Sequence, residues 1–410
     1  MNRKETLKAH VISMCVKKKM TVKEGANRLG LSERQVKNLK ARYKEKGVSS
    51  MLHGNCGRQP KHTLTLEIKE RILQIKNEPY YQNVNFSHFH EDLDEVYGIR
   101  ISYSALRMLL LAEGYKSPKT HRGSKIEHKR RERKDQFGEM LQADATPFAW
   151  FGGQERYALH AMIDDATDNI TGLYMSKNEC AEGYFRVLKQ TISSCGIPLS
   201  IYADGLSLFF SAKKPTIEEQ LEGKQYGATQ FDDITKQLGS RLIHARSPQA
   251  KGRVERLWET LQSRLPVEFA RRNITDVSKA NAFLQDEYIA RFNTRFGIEP
   301  NNRNSAFMPR PKGINIDSLL SIRYTRTVDN SGCFSLDSIL CQCNVPGILP
   351  KSKIDILINQ RLGVKVFYKG SLFTPIPILD KKKRQVTGSS INTIIAQFVS
   401  DNCLKNEHIS

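Results

Sequence analysis

Three strand-length runs come one after another in the middle of this chain, Met140 to Ala145, Tyr157 to Asp164 and Ile170 to Met175. The change of pattern after the third run constrains the fold most. A helix-length segment from Glu179 to Ser194 leads to a buried strand from Leu199 to Ala203. Then come a helix from Thr229 to Leu238, a strand from Arg241 to His244, and a long helix from Gln249. Three strands in succession and then helices alternating with strands is the order of an α/β unit with a mixed sheet, spanning about residues 137–300.

At 410 residues the chain exceeds one small core and has room for three or four modules. Lys and Arg number 64 against 43 Asp and Glu, a net charge of +21 spread along most of the sequence. Such a field attracts a polyanion; the competing reading is a merely soluble basic protein. No stretch approaches the ~20 apolar residues that span a bilayer, and no signal-peptide core follows Met1, so the expectation is a cytoplasmic, nucleoid-associated protein with no membrane partner. The cysteines at 15, 56, 180, 195, 333, 341, 343 and 403 form no CxxC pair and read as reduced thiols.

Residues 1–50 read as a helix-turn-helix domain. Thr21-Val-Lys-Glu24 and Ser32-Glu-Arg-Gln35 are capping boxes on either side of a Gly30 turn, with Ala26 and Gly30 small enough for two helices to cross closely. Leu31, Val36 and Leu39 face the core, which leaves Arg34, Lys37, Asn38, Lys40 and Arg42 outward on a basic reading helix. A generic helical hairpin with a solvated charged face is the alternative. Residues 62–116 repeat the layout, with helices at Leu64–Lys76, Ser87–Val96 and Ser102–Glu113 and a turn at Gly98. This second unit is helix-turn-helix-like, though its last helix is apolar enough to serve packing.

A basic linker covers 117–136, holding Lys119, Arg122, Lys125, Lys129, Arg130, Arg131 and Arg133 without apolar periodicity. Residues 315–380 show short strands joined by glycine turns, which suggests a small β-barrel. A basic irregular tail, 381–410, closes the sequence.

Three carboxylates stand out. Asp144 lies on the first core strand, in Leu141-Gln-Ala-Asp-Ala-Thr. Asp204 comes directly after the buried run Ile201-Tyr-Ala, so the two sit on neighbouring central strands. Glu255 lies near the start of the long helix, in Ser247-Pro-Gln-Ala-Lys-Gly-Arg-Val-Glu-Arg. Phosphoryl transfer on DNA requires charge neutralisation and a placed nucleophile. Two Mg²⁺ about 3.5–4 Å apart supply both, held by carboxylates that converge from different elements. Asp164 and Asp165 end a strand before a turn, where a structural role competes with metal ligation; Asp232 and Asp233 fall on a solvated helix. Trp150 and Trp258 read as core or interface anchors. His244 and Ser247 are further candidates for lining the site.

The run Gln142-Ala-Asp-Ala-Thr-Pro-Phe-Ala-Trp-Phe151, the block Ile163-Asp-Asp-Ala-Thr167, Tyr202-Ala-Asp-Gly205 and Ser247 to Arg256 together resemble the integrase-core transposases of bacterial insertion sequences, nearest to the ISNCY type, in the retroviral integrase-like superfamily. The resemblance implies an RNase H-like core whose Asp144, Asp204 and Glu255 are both catalytic residues and metal ligands, for two Mg²⁺ or Mn²⁺ in their place. Two departures are Gly205, where a basic or polar residue is expected, and Ser211 to Gly227, which looks like an insertion.

Lys251, Arg253 and Arg256 flank Glu255 and are expected at the DNA end. The reading is a DNA transposase: it binds the terminal inverted repeats, hydrolyses phosphodiesters to expose 3′-OH ends, and joins them to target DNA by direct transesterification. Its partner is double-stranded DNA, element ends and target, and a homodimer or higher oligomer is implied. The alternatives are a catalytically inactive, domesticated DNA-binding regulator and a nuclease that only cleaves.

Overall fold

The computed structural model describes residues 3–51, 64–118, 132–211, 215, 227, 229–245, 252–336, 339–359 and 361–379. The chain divides into two compact units, 1–74 and 75–410.

In the first unit, α1 (Arg3–Val16), α2 (Val22–Leu29) and α3 (Glu33–Lys46) close on Ile12, Cys15, Ala26, Val36 and Met51, with Leu31 and Leu39 packed alongside. Both capping boxes form. Thr21 and Glu24 bond reciprocally at 2.9 and 3.2 Å, and Ser32 and Gln35 at 3.0 and 3.2 Å, so the first-turn donors of α2 and α3 are satisfied locally. Gly30 ends α2 at φ 64° and has open space around it. The close approach falls at Gly25 instead, where a Cβ would lie 2.8 Å from Cys15 Sγ.

α4 (Leu66–Lys76) carries the chain from the first unit into the second, which holds α5 (Phe86–Glu95) and α6 (Tyr103–Ala112), capped by Asn85 and Ser102. Gly98 makes the intervening turn at φ 67°. Only Leu106 and Leu110 of α6 are buried, and Met108 is 71% exposed, so the apolar face is narrower than the composition of that helix suggests.

The core sheet runs β3-β2-β1-β4-β5, with β1 (Leu141–Phe148), β2 (Tyr157–Asp164), β3 (Ile170–Ser176), β4 (Ser200–Ala203) and β5 (Arg241–His244). β1 to β3 are antiparallel, whereas β4 and β5 join in parallel, giving the expected mixed sheet with β1 at its centre. α7 (Ala181–Ser194) and α8 (Gln230–Gln237) belong to one apolar cluster with Leu141, Met162 and Ile201. α9 (Gly252–Arg271), α10 (Val277–Phe283) and α11 (Ile289–Phe296) belong to a second, with Leu159, Ala161 and Leu173. Alternate residues of β2 thus feed opposite faces, and the sheet is covered on both sides.

The distal strands correct one expectation. β6 (Ile322–Thr327), β7 (Cys333–Leu336), β8 (Ile339–Gln342), β9 (Lys353–Asn359), β10 (Gly363–Tyr368), β11 (Ser371–Phe373) and β12 (Ile376–Leu379) form two open sheets, β11-β10-β9-β6 and β12-β8-β7, in place of a closed barrel. Their inner residues, including Ile354, Ile356 and Phe334, share the cluster of Leu141 and Ile201, which is why the strands need no closure to bury their apolar faces. No helix among the described residues is long and apolar enough to cross a membrane.

Candidate active site

β1 and β4 pair in parallel with Leu141 opposite Ile201 and Gln142 opposite Tyr202. Continuing that register two places sets Asp144 level with Asp204, just past the last residue of β4. Both acids are half-buried, and the Leu206 N–H donates to Asp204 Oδ1 at 3.2 Å. The negative charge accumulated here is felt by its neighbours. Burial raises the pKa of Glu179, and the charges of Asp204 and Asp144 push it further, while the hydrogen bond from Tyr184 opposes them. Tyr184, itself buried, is pushed up by burial and then by Glu179, Asp144 and Asp204. Glu179, read from the sequence only as a helix start, is therefore a fourth carboxyl in this region.

Glu255 stands exposed on the first turn of α9. This helix tracks β1 in step. Val254 N–H donates to Gln142 Oε1 at 3.3 Å, Trp258 Nε1–H to Asp144 Oδ2 at 2.7 Å, and Gln262 Nε2–H to Thr146 Oγ1 at 3.3 Å. Four helical residues rise about 6 Å and two strand residues about 6.6 Å, so residues spaced by four on α9 meet residues spaced by two on β1. Nothing in the residue pattern signals the Trp258 contact beyond an apolar anchor near an acid. Trp150 is the core residue expected, fully buried with its indole N–H on Tyr157 O at 2.8 Å.

Other expected residues divide. Arg253, expected at the DNA end, has a side chain 10% exposed, with its Nε 3.0 Å from Asp165 Oδ1. Arg256 is exposed, with its Nε–H on the Gly252 carbonyl at 3.1 Å. Lys251 and Ser247 lie outside the described residues. Arg34, Lys37, Asn38 and Arg42 are exposed along α3, and Lys40 is half-buried. Asp164 is buried and accepts from the backbone of Gly138, Ala166 and Thr167, the structural role expected of it. Asp232 pairs with Lys236 at 2.8 Å on α8. Gly205 has a packing reason: a Cβ there would sit 3.0 Å from His244 Nε2.

Hard oxygen donors on adjacent strands, close enough to raise the pKa values of Glu179 and Tyr184, suit a divalent cation such as Mg²⁺. Among the described residues, the group whose ligand atoms all lie within 4.8 Å of one another is a different one, His88, Asp92 and Glu268. There Glu268 is already bonded by Arg271, Arg272 and Arg291, and Tyr81 donates to Asp92 at 2.8 Å, so it is an ion-pair hub. The Asp144, Asp204 and Glu255 ligand atoms do not converge that tightly.

The mixed five-stranded sheet thus carries Asp144 on β1 and Asp204 directly after β4, with Glu255 on α9, the helix that bonds along β1. A family model described as a helix-turn-helix domain matches residues 7–61. The transposase for insertion sequence IS1202 of Streptococcus pneumoniae is 36% identical over 396 residues, covering 88% of this chain and 82% of that protein. The transposase y4bF of Sinorhizobium fredii is 31% identical over 310 residues, covering 75% and 66%. The chain belongs to this family of insertion-sequence transposases. Among solved structures, a simian T-cell lymphotropic virus intasome complex matches 77% of this chain and 99% of its own at 14% identity and a TM-score of 0.32. The HTLV-2 integrase catalytic core domain in complex with magnesium matches 41% and 94% at 15% identity and a TM-score of 0.29. Both are loose overlays.

Proposed function

We propose that this transposase binds the terminal inverted repeats of an insertion sequence, hydrolyses a phosphodiester at each end to expose a 3′-OH, and joins that hydroxyl to target DNA by transesterification. The observation that carries the reading is the level placement of Asp144 on β1 and Asp204 just past β4, beside the helix that bears Glu255. Asp144, Asp204 and Glu255 would hold two Mg²⁺, with Mn²⁺ able to replace them. Bound there, the ions neutralise phosphate charge and activate the attacking oxygen.

The protein's own part is placement. Trp258 holds one oxygen of Asp144, which keeps that carboxylate from rotating. The exposed Arg34, Lys37, Asn38 and Arg42 of α3 lie along phosphates or base edges, with Lys40 beside them, and the net charge of +21 draws the DNA in. Arg256, and Lys251 with it, contact the DNA near the reacting phosphate. Two ends are processed together, so the active form is a homodimer or higher oligomer on DNA. The protein acts in the cytoplasm on nucleoid DNA. Residues 1–50 and 62–116 read the ends, 137–300 catalyse, and 315–380 extend the contact.

The test is purified protein with Mg²⁺, a labelled duplex carrying the element's end and a target plasmid, beside Asp144→Asn. Cutting and joining by the parent alone supports the proposal. Tight end binding by both, with cutting by neither, would leave a DNA-binding regulator.

A further inference from the structure

Three stretches of the sequence, Gln142-Ala-Asp144, Asp164-Asp165 and Arg253-Val-Glu255, meet at a single carboxylate. Asp165 is fully buried. Its Oδ1 accepts from Gln142 Nε2 at 2.8 Å and lies 3.0 Å from Arg253 Nε, and its Oδ2 accepts from the Lys134 backbone N–H at 2.9 Å. The Asp165 carbonyl also takes Arg253 Nε–H at 2.9 Å, while its own N–H donates to Met140 O at 3.0 Å.

A turn aspartate serving only its loop takes donors from the next few residues, as Asp164 does from Ala166 and Thr167. Arg133 Nη1 reaches the Asp165 carbonyl at 3.4 Å, and the two closer side-chain donors come from positions 23 residues before it and 88 after it. Each of those two stands two places before an acid of the site: Gln142 before Asp144, and Arg253 before Glu255. Gln142 and Asp144 share one face of β1. Arg253 lies about 3 Å of helical rise from Glu255. Gln142 Oε1 closes the arrangement by accepting from Val254 N–H at 3.3 Å. A buried carboxylate requires a paired cation and satisfied oxygens, and these partners supply both.

We propose that Asp165 is a positioning residue. It ties β1 to the first turn of α9, so the spacing between Asp144 and Glu255 is set before cation or DNA arrives. The inference rests on the proposed triad of Asp144, Asp204 and Glu255. Arg253 then belongs to this tie, and the DNA-facing work falls to its exposed neighbours.

The test uses the full chain with terbium(III), an oxygen-seeking ion whose emission is excited through a nearby indole; Trp258 lies against Asp144. Asp165→Asn keeps the shape and removes the charge. It should raise the half-saturating terbium and Mg²⁺ concentrations about tenfold or more, the usual effect of losing a residue that orients metal ligands, with end binding unchanged. A merely structural loss would lower the melting temperature and the signal amplitude without moving the midpoint. An unchanged midpoint overturns the inference. Should Asp165→Asn fail to fold, Arg253→Lys keeps the charge and loses the Nε donor; the same shift is expected and an unchanged midpoint is equally fatal. Asp144→Asn separates the two claims. If it retains the parent's emission, the triad reading fails; if it loses it while Asp165→Asn keeps the parent's midpoint, only this inference fails.

Discussion

The indole N–H of Trp258 donates to Oδ2 of Asp144 at 2.7 Å, joining the long helix to the central strand at an acid of the proposed triad. A hydrogen bond to a charged acceptor contributes about 1.5–3 kcal/mol. Trp258→Phe keeps the ring in its apolar seat and removes the donor. It should slow joining by about tenfold or more at saturating Mg²⁺, while a gel-shift assay shows end binding at the parent's level. Joining at the parent's rate would mean that the contact orients nothing.

Glu268 offers a stability test away from the site. Burial raises its pKa, but the hydrogen bonds from His88 and Arg291 and the charges of Arg291 and Arg271 outweigh burial and hold the carboxyl below its usual range. A depressed folded pKa contributes stability that is present above the ordinary value of 4.5 and is lost as pH falls towards the folded one. Urea denaturation should therefore show the parent weakening as the pH drops below that value. Glu268→Gln should be less stable at neutral pH by about 3–5 kcal/mol and show a flatter acid limb.

Gly183 on α7 faces the buried ring of His160, and a Cβ there would lie 2.3 Å from it. The ring is fixed, since His160 Nε2 accepts the Cys180 N–H at 3.1 Å and the ring meets Tyr184 edge-on at 4.9 Å. Gly183→Ala should cost about 1–3 kcal/mol by overpacking, seen as a lower melting temperature. An unchanged transition would show that α7 can lift off β2 freely.

Arg34 and Lys37, exposed on α3, are expected on phosphates. Replacing either by Ala should weaken end binding and reduce the slope of log affinity against log salt by about one. A slope equal to the parent's would place α3 away from the backbone.

Local chemistry is the legible part of this chain. Tyr157–Asp164 and Arg241–His244 begin and end where their apolar patterns do, and both capping boxes form as spaced. Residues 277–296, two helices joined by a π-helical turn at Leu284–Tyr288, are harder to read; their apolar positions seat against β3 rather than announce a helix by themselves. Arg253 illustrates a different limit. With 64 Lys and Arg in the chain, nothing local says which one will neutralise a buried carboxylate 88 residues away. The same holds for Trp258, whose indole looks like packing until α9 is laid along β1. The open distal sheets escape a reading by pattern because β6, β8 and β12 are short or half polar, and strand partners are chosen by distant surfaces.

The most direct test of the central claim exchanges one acid for a thiol. Asp204→Cys puts a softer ligand where Mg²⁺ demands oxygen, so cutting and joining should vanish with Mg²⁺ and recover at least in part with Mn²⁺, which accepts thiolate more readily. Cutting by Asp204→Cys with Mg²⁺ at the parent's rate would contradict the account, because Asp204 would then hold no metal.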